Sequence, residues 1–165
     1  MKKYEFTGET KQVELLFRTA TLHRIKAVAE FGIVKVGDLG GWIEKEENLS
    51  HDGKAWVWGN AKVCGNAKVC DDAEVCGNAK VCGDAKVFSA SHVLVIGAIG
   101  SRDDFTTFFR DKDSEITVKC GCFLGKIDKF LEKVSGTHGD SKYAIVYRTA
   151  VEIAKQQIDL SEEKQ

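Results

Sequence analysis

Small apolar residues recur every six positions through the middle of the chain: Val57, Val63, Val69, Val75, Val81, Val87, Val93 and Ile99. Ala55, Ala61, Ala67, Ala73, Ala79 and Ala85 each stand two places earlier, until Ser91 interrupts the series. Strand side chains alternate between faces, so each Ala-x-Val unit predicts a short strand with both apolar groups aimed inward. Gly59-Asn60, Gly65-Asn66, Asp71-Asp72, Gly77-Asn78 and Gly83-Asp84 fall between these strands. Such residues tolerate a left-handed backbone and predict turns.

The flanks follow other patterns. Residues 1–48 read as short strands, for example 22–29 and 33–36, leading into Gly37-Asp38-Leu39-Gly40-Gly41-Trp42. A repeat array needs covered ends, so this segment is expected to be a β cap. The glycine spacing beside Asp38 and Glu44 fits neither common phosphate-binding fingerprint. After the repeat, Ile127, Phe130, Leu131 and Val134 recur at helical spacing, as do Tyr147, Val151, Ala154 and Ile158, which predicts two amphipathic helices. Asp140, in the Thr137–Asp140 link, is a candidate N-cap, and the polar tail 161–165 is expected to fray. The expected organisation is a β cap at 1–48, a repeat body at 49–100 and a strand-plus-two-helix cap at 101–165, forming one unit.

The hexad pattern resembles the hexapeptide-repeat family. That resemblance implies a mainly β fold, a left-handed parallel β-helix with a triangular cross-section and three hexads per coil. Residues 18 apart would then stack, placing Trp56, Trp58, Cys76, His92 and Leu94 on one outward face. A soluble monomer rarely exposes such an apolar patch, so this face is a candidate interface of a homo-oligomer, expected to be a trimer. The N-terminal segment folding back over the tryptophans is the alternative. Together with Gly40-Gly41-Trp42-Ile43-Glu44 and Cys120-Gly121-Cys122-Phe123, the whole pattern is also similar to a group of phage and prophage hexapeptide proteins.

Charge and chemistry narrow the picture. The 165 residues carry 24 basic and 25 acidic groups, a formal net charge of -1, which does not suit a general nucleic-acid coat. The opening residues lack the apolar core of a signal peptide and no run is long enough to span a bilayer, so a cytoplasmic protein with reduced thiols is expected. Cys64 and Cys82 should stack and Cys120 and Cys122 should share a strand face, but no four ligands converge, so neither a metal nor a cofactor is expected.

Two of the five arginines fall within residues 97–110, among phenylalanines and hydroxyl residues. An arginine fork matches phosphate oxygens, rings stack on bases, and hydroxyls with glycine amides complete a cradle. Ser101, Arg102, Phe105, Thr106, Thr107, Phe108 and Arg110 are therefore the candidate binding set for a small phosphorylated, nucleotide-type ligand, with closure of the last coil as the alternative role. The expected function is capture without turnover; for a phage protein, that could mean sequestering a nucleotide messenger of bacterial immunity. The runner-up is an acyltransferase using acetyl coenzyme A with His92 as general base, ahead of His51, His138 and His23, although no inserted loop walls a cleft. A ligand-free assembly module is the third reading.

Overall fold

The computed structural model describes residues 1–161, so residues 162–165 of the expected frayed tail lie outside the described residues. The chain opens with an antiparallel hairpin of β1 (Tyr4–Glu14) and β2 (Thr19–Ala27), and β3 (Leu39–Ile43) pairs antiparallel with β2. Six two-residue strands follow: β4 (Trp56–Val57), β5 (Lys62–Val63), β6 (Lys68–Val69), β7 (Glu74–Val75), β8 (Lys80–Val81) and β9 (Lys86–Val87). Next come β10 (Val93–Ile99), β11 (Asp104–Arg110), β12 (Ile116–Cys120) and β13 (Phe123–Lys126), then α1 (Ile127–His138) and α2 (Lys142–Gln157).

The expected left-handed parallel β-helix solenoid is overturned. The strands fall into separate small sheets: a mixed five-stranded sheet in the order β1-β2-β3-β5-β8, an antiparallel sheet β10-β11-β12-β13, and the pairs β4-β7 and β6-β9. Within the repeat, residues 18 apart do pair in parallel, as Trp56 with Glu74, Lys62 with Lys80 and Lys68 with Lys86. Yet β3 joins β5 in parallel, so the N-terminal meander extends one of the repeat's sheets instead of only covering its end. The six-residue pattern also overruns its structure, because Val93 and Ile99 lie in the antiparallel strand β10. Ser89 redirects the chain there: its hydroxyl accepts the Ser91 amide at 3.2 Å and starts a short 3-10 turn, Ala90–His92.

The inward alanines and valines from Ala55 to Val87 are buried in one core. The turns between them match expectation, with Gly59, Gly65, Gly77, Gly83 and Asp71 at positive φ. Residues 33–36 form a turn rather than a strand, closed by the Phe31 and Val34 bridge. Trp56 is fully buried, with Phe31 at 5.3 Å and Tyr4 at 6.2 Å between ring centroids. The N-terminal segment thus folds back over it, which removes the observation on which the trimer expectation rested. Gly40 permits this closeness, since a Cβ there would lie 2.6 Å from Ile25 and 2.7 Å from Trp56. Over the same end, the buried Lys3 ammonium donates to the Ala55 carbonyl at 2.8 Å, and desolvation pushes its pKa down to about 8.

The antiparallel sheet lies between two layers. Phe109 joins the repeat core and the Thr107 hydroxyl accepts the Lys80 amide at 3.0 Å, while Phe108 on the opposite face meets Phe130 of α1. Both expected helices form, burying Phe130 and Val134 of α1 and Tyr147, Val151 and Ala154 of α2. Ser141 stands at the N-cap of α2, and the expected cap Asp140 instead pairs with Arg148 at 3.5 Å. No helix among the described residues is long and apolar enough to cross a membrane.

A buried carboxylate fastens the β11–β12 hairpin. Asp111 accepts hydrogen bonds from the Asp113 amide, the Glu115 amide, the Thr117 hydroxyl at 2.7 Å and the Lys126 ammonium at 2.6 Å. Burial opposes its charge, but these bonds outweigh burial and hold its carboxyl below the usual carboxylate range. A depressed folded-state pKa contributes stability that is present above the unfolded value of about 3.9 and lost as pH falls through the folded value. Asp111→Asn is therefore expected to lower the Tm at pH 7 and to flatten its fall on acidification below about pH 4. Thermal denaturation of both proteins across that range checks this.

Candidate functional site

The turns β10–β11 and β12–β13 lie at the same end of the antiparallel sheet, and α1 and α2 pass beside them. Between these elements is a cleft of about 160 Å³. The sheet contributes Ser101, Arg102, Asp104, Thr106 and Cys120, and the helices contribute Lys133, Thr137, His138 and Tyr147. Ile99, Phe123, Phe130 and Val134 make its wall largely apolar.

Glycines bring the polar groups together. At Gly100, which has φ +78°, a Cβ would lie 1.9 Å from the Tyr147 hydroxyl, so only glycine lets the phenol dock under this turn. The Cys120 thiol and Ser101 lie against that phenol at the cleft. Burial, with help from Cys120, raises the Tyr147 pKa, keeping the group neutral. The Thr106 hydroxyl donates to the Cys120 sulfur at 3.4 Å, and the His138 ring stacks on Tyr147 at 5.7 Å.

Arg102 lies across the second turn, its Nη1 3.4 Å from where a Gly121 Cβ would be. Lys133 stands on α1 with its Nζ 5.8 Å from the centre of the Phe123 ring. Neither cation makes an ion pair among the described residues, in contrast to Arg148 and Lys126 nearby in the fold. Chemically, the cleft offers two cations outside any ion pair, the Asp104 carboxylate, several hydroxyls and aromatic rings. Among the described residues, no group of three or more His, Cys, Asp or Glu side chains is placed to hold a metal ion.

Only Ser101, Arg102 and Thr106 of the expected binding set line this cleft. Thr107 points to the repeat, Phe108 is fully buried against the helices, and Phe105 packs over Gly97. Arg110 shares a strand face with Thr106 but sits four pairs further along. There its buried guanidinium meets His92 at 3.3 Å and the Ser114 hydroxyl at 3.1 Å. The cleft residues that sequence reading does not assign to a ligand include Cys120, Lys133, Thr137, His138 and Tyr147. Cys120 is expected only to share a strand face with Cys122, which instead lies in the β12–β13 turn; His138 is only a lesser candidate base, and Thr137 reads as part of the link between the helices.

The expected interface set does not form one open face either. Trp56 is buried, Trp58 is half-buried on the repeat core, Leu94 packs toward the helices and Cys76 is exposed. His92, the candidate base, is buried, and its Nδ1 accepts the Phe88 amide at 3.1 Å, which turns the ring inward. His51 accepts the Lys3 amide and stacks on Tyr4, and His23 stacks on Phe6. No family model matches this chain, and no curated protein matches it.

Proposed function

We propose that the protein captures a small phosphorylated, nucleotide-type ligand in the cleft between the sheet turns and α1, without turning it over. The observation that carries this reading is the pair of cations outside any ion pair, Arg102 and Lys133, at a cleft that holds one carboxylate, Asp104, beside rings, hydroxyls and aliphatic groups. A phosphate would take the Arg102 fork and the Lys133 charge. The neutral Tyr147 phenol and the Ser101 and Thr137 hydroxyls suit its remaining oxygens or a sugar. Phe123 and His138 offer faces for a base. The volume, about 160 Å³, is below the range of sites that engulf a whole ligand, so the cleft grips the phosphate and one ring and leaves the remainder in solvent.

Calorimetric titration with inorganic phosphate and a panel of linear and cyclic nucleotides tests this. Charge-assisted hydrogen bonds contribute about 1.5 to 3 kcal/mol, so Arg102→Ala should weaken binding roughly tenfold or more while leaving the Tm of the free protein unchanged. Arg110→Ala should do the reverse, lowering the Tm because its buried contacts to His92 and Ser114 are lost. Absence of heat with every compound, or equal affinity in Arg102→Ala, overturns the reading.

A further inference from the structure

A second cavity, of about 390 Å³, lies between the β1–β2 turn and the β12–β13 turn, where Cys122 borders both it and the first cleft. Three thiols line it: Cys64 and Cys82, both buried and one strand apart, and the exposed Cys122 of the β12–β13 turn. Cys64 and Cys82 follow directly on the paired residues Val63 and Val81, and the Cys64 amide donates to the Val81 carbonyl at 3.0 Å. Adjacent strands lie about 4.7 to 4.9 Å apart, within the usual Cα separation of disulfide partners, about 4.4 to 6.8 Å. Leu15, Leu16, Phe17 and Leu124 line the cavity, and the Lys119 ammonium, which donates to the Gly121 carbonyl, stands beside the thiols.

We infer that Cys64 and Cys82 form a redox-active dithiol, which a hydroperoxide admitted to this cavity converts to an intramolecular disulfide. The two sulfurs are not equivalent. Cys82 is the stronger acid, because the Cys64 thiol hydrogen-bonds its thiolate, and Lys119 and Lys80 add positive charge against the cost of burial. Cys64 holds its proton more tightly than a free thiol, because of that same hydrogen bond and burial. The Cys82 thiolate attacks the peroxide O–O bond; it becomes a sulfenic acid as the distal oxygen leaves as water or an alcohol, taking up one proton. The Cys64 sulfur then attacks the Cys82 sulfur, the S–S bond forms, and the hydroxyl leaves with the Cys64 proton as water. The peroxide gains two electrons and the dithiol loses two.

Peptide mapping of the folded chain tests this without any substitution. Trypsin cuts after Lys62, Lys68, Lys80 and Lys86, so Cys64 and Cys82 fall on separate peptides, 63–68 and 81–86. Reduced protein is treated with hydrogen peroxide, free thiols are alkylated, and the digest is read by mass spectrometry without reductant. The 63–68 to 81–86 link is expected to appear roughly tenfold faster than oxidation of the exposed Cys76, and dithiothreitol should reverse it. Cys82→Ser should leave Cys64 reduced, and Cys64→Ala should leave a Cys82 sulfenic acid that dimedone traps. Recovery of Cys64 and Cys82 as alkylated thiols after Cys76 has oxidised, or a link formed only in urea, overturns the inference.

Discussion

Gly100→Ala is expected to be among the most destabilising single-methyl additions in the chain. Two costs combine at this position. A positive φ, +78° here, strains an L side chain by roughly 1 to 2 kcal/mol. A Cβ placed 1.9 Å from the Tyr147 hydroxyl must also displace a buried ring, and overpacking of this kind costs typically about 1 to 3 kcal/mol. For a domain of this size, a total of about 2 to 5 kcal/mol lowers the Tm by on the order of 10 °C. Gly59→Ala separates the two terms, since Gly59 has φ +55° and nothing within 4 Å of an added Cβ. It should show the backbone cost alone, about 1 kcal/mol. The Gly100 variant should also lose ligand affinity, because the turn carrying Ser101 and Arg102 moves with the displaced phenol. Thermal denaturation followed by circular dichroism checks the pair.

Trp56→Ala should cost about 3 to 5 kcal/mol, the range for removing a large aromatic side chain from a core. The ring is fully buried and meets Phe31, Tyr4 and Trp58 edge-on, at 5.3, 6.2 and 6.4 Å. Its indole nitrogen has no hydrogen-bond partner among the described residues, so the loss is one of packing and not of a polar contact. A urea unfolding midpoint that shifts strongly, at a protein concentration where it is independent of dilution, supports this placement. An unchanged midpoint would return Trp56 to an outward position.

The parts of the fold legible in the sequence are those with local causes. Ala-x-Val alternation determines which side chains turn inward, and Gly59, Gly65, Gly77 and Gly83 adopt the positive φ that their turns need. The helices were legible for the same reason, since Phe130 and Val134, and Tyr147, Val151 and Ala154, repeat at the helical period. What failed depends on distant partners. Val93 and Ile99 keep the six-residue spacing, but a strand of either sense buries alternate residues, so spacing alone could not show that β10 pairs antiparallel with β11. Period also could not say that β3 would join β5, or that Tyr4 and Phe31 would close over Trp56.

The site divides along the same line. Ser101, Arg102 and Thr106 were found from local composition around a scarce arginine. Arg110 was grouped with them because alternation puts it on the face of Thr106. Four residues of strand, however, carry it about 13 Å away, to His92 and Ser114. Lys133, His138 and Tyr147 reach the cleft only because α1 and α2 pack across the sheet.

The central claim is that the cleft beside Arg102 holds a phosphorylated ligand, and the most direct measurement is of what the purified protein carries. Wild-type and Arg102→Ala proteins, purified in parallel, are heated to release bound small molecules, and the supernatants are compared by mass spectrometry. The expected result is a phosphorylated, nucleotide-type compound in the wild-type sample, depleted roughly tenfold from the variant. A wild-type protein that releases no phosphorylated compound, or a variant that carries as much as the wild type, would contradict the account.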